Sequence, residues 1–291
     1  MQSDTKNLKF LIIIPAYNEE QTIGDCLLSL VSQTKLPQKI IVVNDSSTDN
    51  TAEVVQALAL KHPLITYKQH QTDGVYRPGS KIVNAFNYGL VGDKLDGYDV
   101  ICKFDADLIF PKHYIESVEK SFLEDDKLGL SGGVCLIEKG DDWVVESVTN
   151  LDHVRGALKA YRLEAFKSID GLASQMGWDT ADEFKLRYAG WHVGVNPDLQ
   201  VKQTKPTASS YKNQYFKKQG EVFFALRYDF LLCCIAAVKI SKQRQSIKGF
   251  FNTFTSYLDS NRQKIPYLLS NEEGKFLRSY RYRRLKEKLF S

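Results

Sequence analysis

Over the first hundred residues the hydrophobic pattern switches repeatedly between two periods. "KFLIII", "KIIVVN", "LITYK" and "DVICKF" are short apolar runs bounded by polar residues, which predicts strands buried on both faces. Between them, "EEQTIGDCLLSLVSQ", "TDNTAEVVQALALK" and "SKIVNAFNYGLV" space their apolar residues as one face of a helix. Strand and helix in turn predict right-handed crossovers and a mostly parallel sheet flanked by helices. In such a sheet, ligands gather outside the carboxyl ends of the strands.

Three polar clusters fall at those ends. "PAYNEE" follows the first strand, "NDSSTDNT" the second and "DADLIFP" the fourth. Helix and strand ends account for part of this. Asp49 or Thr48 suits an N-cap, Pro15 a strand end, and Glu19 with Glu20 the first turn of a helix. Capping does not explain an aromatic Tyr17 in a loop, nor Asp105 and Asp107 one residue apart at a strand exit. Two such carboxylates repel unless compensated, and a hard divalent cation that takes oxygen ligands compensates them. A cation held by one or two carboxylates completes its shell with water and phosphate. With Tyr17 as a flat face for a base and Asp45 as an acceptor for base or ribose, these residues sketch a nucleoside diphosphate site.

The chain resembles the family 2 glycosyltransferases of the GT-A fold. The resemblance rests on "IIIPAYNEEQTIGDCLLSLVSQT", "KIIVVNDSSTDNT", "GSKIVNAFNYGL", "KFDADLIFP", "VRGALKAYRLEAF" and "GWDTADEFKLRYAGW", in the family's order over residues 8 to 204. It implies inverting transfer of a sugar from a nucleotide-sugar donor, a UDP-sugar favoured, to the hydroxyl of a glycan or lipid-linked glycan, with Mg2+ or Mn2+ as cofactor. By the match, Pro15, Tyr17, Glu19 and Asp45 line base and ribose, Lys81 approaches the diphosphate, and Asp105 and Asp107 form the DxD-type metal pair, Asp105 also touching the donor. The family's base lies in the acidic cluster of "GWDTADEFKLRYAGW": Asp182 is the expected base, with Glu183 and Asp179 as alternates. Capping explains this cluster too, since acids favour a helix N-terminus. The sequence departs from the pattern twice. Asn44 and Ser46 stand where Asp and Gly are common, and Gln203 or Thr204 stands where many relatives carry a metal-binding histidine. The expected domains are 1–204, a GT-A catalytic domain with a nucleotide-binding half (8–110) and an acceptor half (111–204), and 205–291, a helical basic extension.

Composition narrows the setting. With 43% hydrophobic and 25% charged residues in 291, the chain is expected to fold around a substantial core. Five cysteines without CxxC spacing suit a reduced, cytoplasmic chain. Neither the start "MQSDTKNLKFLIII" nor the run "VFFALRYDFLLCCIAAV", interrupted by Arg227 and Asp229, reads as a leader or a spanning segment. From Lys205 onward, 18 Lys/Arg face 6 Asp/Glu, a surplus of +12 that leaves the rest at −8 within a total of +4. Two readings of this tail compete. Its helices pack on the catalytic core, or its basic and aromatic residues, notably in "NEEGKFLRSYRYRRLKEKLF", lie on an anionic membrane surface at the inner face of the cytoplasmic membrane. Nucleic acid is not expected as a partner, because no binding motif accompanies the tail and the remainder is acidic. The alternatives to a transferase are an inactive nucleotide-sugar-binding protein and a nucleotidyltransferase, although "PAYNEEQTIG" lacks the glycine-rich phosphate loop the latter favours.

Overall fold

The structure is a computed structural model describing residues 7–72, 79–146, 151–205 and 212–290. The polar lead on which the reading of the N-terminus partly rests lies outside the described residues. The chain divides into two compact units, Met1–Ser174 with Ala189–Pro206 and Gln175–Tyr188 with Thr207–Ser291.

The first unit is α/β. Its elements are β1 (Phe10–Ala16), α1 (Ile23–Val31), β2 (Lys39–Asp45), α2 (Thr51–Lys61), β3 (Ile65–His70), α3 (Ser80–Leu90), β4 (Val100–Phe104), β5 (Leu108–Ile109), α4 (Tyr114–Glu124), β6 (Leu128–Lys139), β7 (Asp142–Val145), β8 (Leu158–Arg162), α5 (Leu163–Ser168) and β9 (His192–Gln203). Among the described residues the strands form one sheet in the order β3-β2-β1-β4-β8-β6-β9-β5, with β7 paired to β6. The first four strands run parallel, as the alternating pattern predicts, with Ile12 opposite Ile40 and Cys102. Every residue of β1 and β4 is buried, because helices cover both faces of the sheet. Beyond β4 the order becomes mixed. β8 enters antiparallel between β4 and β6, while β9 runs parallel to β6. The three clusters flagged in the sequence therefore leave neighbouring parallel strands at the same edge.

The second unit is helical: α6 (Trp178–Tyr188), α7 (Lys212–Ala225), α8 (Phe230–Gln243), α9 (Ile247–Arg262) and α10 (Asn271–Phe290). The long apolar run breaks between α7 and α8, where Arg227 takes φ +57° and Asp229 caps α8 by accepting the Leu232 N–H at 2.9 Å. Helix α9 is not predicted by the sequence reading. Helix α6, read in sequence with the acceptor half, packs in the helical unit, where Phe184 meets Tyr280 edge-on at 5.5 Å. Among the described residues no helix is long and apolar enough to cross a membrane, and all five cysteines are free thiols.

Candidate donor and metal site

Side-chain bridges lock the loops after β1 and β2 together. The Asn18 N–H donates to Ser47 Oγ at 3.0 Å and the Thr48 N–H returns a bond to Asn18 Oδ1 at 2.8 Å. The Glu19 N–H donates to Thr51 Oγ1 at 2.8 Å, and the Glu20 N–H to Asp49 Oδ2 at 3.1 Å. These contacts revise the capping picture. Asn50, not Asp49 or Thr48, holds the N-cap position of α2, and its side chain makes no cap bond. Asp49 instead accepts from the Thr51 N–H at 3.1 Å while holding Glu20. Glu19 and Glu20 precede α1 rather than sit in its first turn, and Pro15 pairs within β1 opposite Val43. The chain turns sharply here, with Asn18 at φ +54° and Ser46 at φ +62°.

Beneath these loops lies a cavity of about 410 Å³ whose lining includes Pro15, Tyr17, Glu19, Asp45, Lys81, Asp105 and Asp107. All seven residues expected at the donor and metal site thus face one space. Asp45, at the end of β2, is nearly inaccessible. Its Oδ1 meets His70 Nδ1 at 3.0 Å and accepts from Thr72 Oγ1 at 3.1 Å, and its Oδ2 lies 3.5 Å from Lys81 Nζ. The same ammonium sits 3.8 Å from the centre of the Tyr17 ring, a cation–π distance. Lys81 therefore links the aromatic face to the carboxylate, and it enters from the first turn of α3. Glu19, also in the lining, accepts from Lys205 Nζ through Oε2 at 2.6 Å.

The two strand-exit aspartates have different surroundings. Asp105 is bound by the ammonium of Lys103, which is itself buried inside β4 and also donates to the Gly156 carbonyl at 3.0 Å. Among the described residues no such cation pairs with Asp107. Burial, the Asp105 charge and the Glu19 charge together push its carboxyl up to about 6, against a bond from Gln203 Nε2 at 3.1 Å that favours the ionised form. The backbone of Asp107 is fixed by Thr204, whose N–H and hydroxyl donate to its carbonyl at 2.9 and 3.0 Å. The Gln203 Oε1 is buried and, among the described residues, without a hydrogen-bond partner. An unbalanced buried carboxylate beside an unpartnered amide oxygen fits a hard cation that takes oxygen donors. Among the described residues no three His, Cys, Asp or Glu side chains cluster as a full cage, so a bound Mg2+ or Mn2+ would draw its remaining ligands from water and a diphosphate.

The sequence model of glycosyl transferase family 2 matches residues 11–168, more than half of the chain. The chain belongs to this family. Among curated family relatives, the poly-beta-1,6-N-acetyl-D-glucosamine synthase of Staphylococcus aureus is 30% identical over 121 residues, covering 42% of this chain and 27% of that protein. The chain thus spans well under half the length of that relative. Among solved structures, a mannosyltransferase of Pyrobaculum calidifontis in complex with GDP-Man and Mn2+ superposes with a TM-score of 0.60 at 16% identity, covering 97% of this chain and 81% of that one. Residues 1–349 of S. aureus TarS in complex with UDP-GlcNAc give a TM-score of 0.55 at 18% identity, covering 77% and 68%. These likenesses place the α/β unit of this family 2 chain in the GT-A fold.

The expected base cluster of the family 2 enzyme is built separately. Asp179, Asp182 and Glu183 all lie on α6, in the helical unit. Asp182 and Glu183 are buried; Asp182 Oδ1 accepts the Glu183 N–H at 2.7 Å, and Glu183 pairs with Arg187 at 3.2 Å. Two residues of the donor side escaped the sequence reading. Lys103 was passed over in an apolar run, although a lysine inside a strand buried on both faces requires an anionic partner. His70 carries no motif of its own in the sequence, and it is the parallel pairing of β2 and β3 that brings it opposite Asp45.

Proposed function

We propose that this chain transfers a sugar from a nucleoside diphosphate donor, a UDP-sugar favoured, to a hydroxyl of a glycan or lipid-linked glycan, with inversion at the anomeric carbon. The observation that carries the reading is the convergence of Tyr17, Asp45, Lys81, Asp105 and Asp107 on one cavity at the carboxyl ends of β1, β2 and β4. Each side chain has a physical task there. Tyr17 offers a flat surface to the base, and Asp45, held by His70 and Thr72, accepts from base or ribose. Lys81 lies where it can exchange Asp45 for a phosphate oxygen, and Lys103 pairs with Asp105 and fixes its direction. Asp107 and Asp105 would hold Mg2+ or Mn2+, which when bound neutralises the charge growing on the leaving diphosphate. Asp182 takes the proton of the attacking hydroxyl, a group too weakly acidic to react unaided.

Relatives named for polysaccharide synthesis support a glycan acceptor, and structures holding GDP-Man or UDP-GlcNAc support a nucleotide-sugar donor. The test is a panel of nucleotide sugars with Mn2+, scored for release of nucleoside diphosphate by wild type and Asp107→Ala. Turnover of one donor, lost in the variant, is expected. Binding of a donor with no hydrolysis or transfer, even with a lipid extract as acceptor, would mean a binding protein instead.

A further inference from the structure

Two helices of the helical unit, α8 and α9, turn rows of large apolar side chains outward. Helix α9 buries Gly249, Thr253 and Ser260, while Ile247, Phe251 and Leu258 stand 83%, 60% and 46% exposed. The small inner residues have a packing reason. A Cβ on Gly220 of α7 would fall 2.2 Å from the Thr253 carbonyl oxygen, so the two backbones cross too closely for larger side chains. Helix α8 repeats the pattern. Leu231, Ile235 and Val238 recur at i, i+4 and i+7 and are 58%, 36% and 55% exposed, and Lys242 continues the same row. Phe230, at the head of α8, meets Phe254 of α9 edge-on at 5.1 Å, which joins the two rows.

Charge selects what such a face can meet. Between residues 230 and 262 the cations are Lys239, Lys242, Arg244, Lys248 and Arg262, against a single acid, Asp259, which pairs with Arg262 at 3.4 Å. A second copy of the same face would set like charges against each other. Apolar rows rimmed by lysines match the boundary between headgroups and acyl chains of an anionic bilayer. The basic helix α10 is less suited, since among the described residues it has no apolar row on its outer face: Phe276 packs against Tyr188 at 5.8 Å, Tyr280 against Phe184, Leu277 is fully buried, and the one large apolar side chain exposed on it is Phe290 at its end.

We infer that the α8–α9 face of the helical unit docks on an anionic phospholipid surface, with Leu231, Val238, Ile247 and Phe251 entering the headgroup boundary and Lys239, Lys242 and Lys248 facing lipid phosphates. The inference is independent of sugar transfer, because the probe contains no acceptor. The whole chain is sedimented with vesicles of phosphatidylcholine, with and without phosphatidylglycerol. Binding to the anionic vesicles alone is expected, weakened about tenfold or more by Leu231→Gln with Phe251→Gln. Lys239→Gln with Lys242→Gln should weaken it by about fivefold per cation. Lys275→Gln with Lys286→Gln on α10 should change it less than either pair. All of these positions are exposed, so thermal midpoints should stay at the wild-type value. The inference is overturned if wild type remains in the supernatant, if the α8–α9 variants pellet like wild type, or if only the α10 pair matters. It is equally overturned if wild type sediments as a dimer that Leu231→Gln with Phe251→Gln dissolves, which would make the face a contact between copies.

Discussion

Asp107 is buried beside the like charges of Asp105 and Glu19, and its titration gives a signed prediction. Its carboxyl is raised to about 6 from 3.8, chiefly by burial and then by Asp105. Without metal the folded state therefore holds the extra proton between those values, and stability falls as pH rises through the window and levels above it. A cation must displace that proton. Mn2+ affinity measured by calorimetry should weaken by up to about tenfold per pH unit below 6 and level off above it. Asp107→Asn should remove most of the slope along with most of the affinity, whereas a slope unchanged in the variant would assign the proton elsewhere. Ser46 gives a second test. At φ +62° its backbone bears a cost of about 1 kcal/mol, yet its hydroxyl donates to the His70 carbonyl and accepts the Thr72 N–H, each near 3 Å. Ser46→Gly removes strain and bonds together and should be nearly neutral in urea denaturation. Ser46→Ala keeps the strain, loses the bonds and should cost about 1–2 kcal/mol. The sequence showed Ser46 as a departure from a common glycine. The reason for that glycine, a left-handed turn over the site, is visible only in the backbone.

Elements were more legible than their joints. The runs at β1, β2, β3 and β4 and the helical faces of α1, α2 and α3 carry their period in a few residues, so the parallel half of the sheet could be read directly from the chain. The antiparallel entry of β8 could not, because "LKAYR" has the same apolar alternation in either direction. Helix α9 was hidden for the opposite reason. Its large side chains point outward and its inner face is Gly, Thr and Ser, so burial and hydrophobicity part company. The joint that matters most to the site is α3 against the sheet, since α3 carries Lys81. Gly89 sits at that joint, where an added Cβ would lie 2.6 Å from Ile13 Cγ2 and 3.1 Å from Val43 Cγ2. Helix propensity alone favours Gly89→Ala by about 1 kcal/mol. Overpacking against two inaccessible strand residues costs about 1–3 kcal/mol and should win. The variant is expected to melt lower than wild type and to bind donor more weakly as α3 shifts; a higher melting point would show that the helix absorbs the methyl without moving.

At the scale of the whole molecule, the chain separates its chemistry as it separates its charge. The tail from Lys205 carries +12 and the rest −8, and the divide by packing runs close to the divide by charge, except that α6 crosses it. Sequence order placed "GWDTADEFKLRYAGW" after the donor motifs and so gave the acids of α6 their candidate role. It did not reveal that α6 packs through Phe184 and Tyr188 with α10, a pairing of residues nearly a hundred positions apart. This partition makes the assignment of Asp182 testable apart from donor binding. The donor contacts proposed above all come from the α/β unit, so Asp182→Asn, which keeps the side chain's shape and its acceptor oxygen, should leave donor affinity within about twofold by calorimetry while kcat falls by about 10²–10⁴-fold. A pH profile adds a readout that a structural role would not move: the acidic limb assigned to the base should disappear from kcat in the variant. If donor affinity falls together with kcat and the melting point drops, Asp182 is a packing residue of α6, and Glu183, already paired with Arg187, or Asp179 at the helix start becomes the position to test.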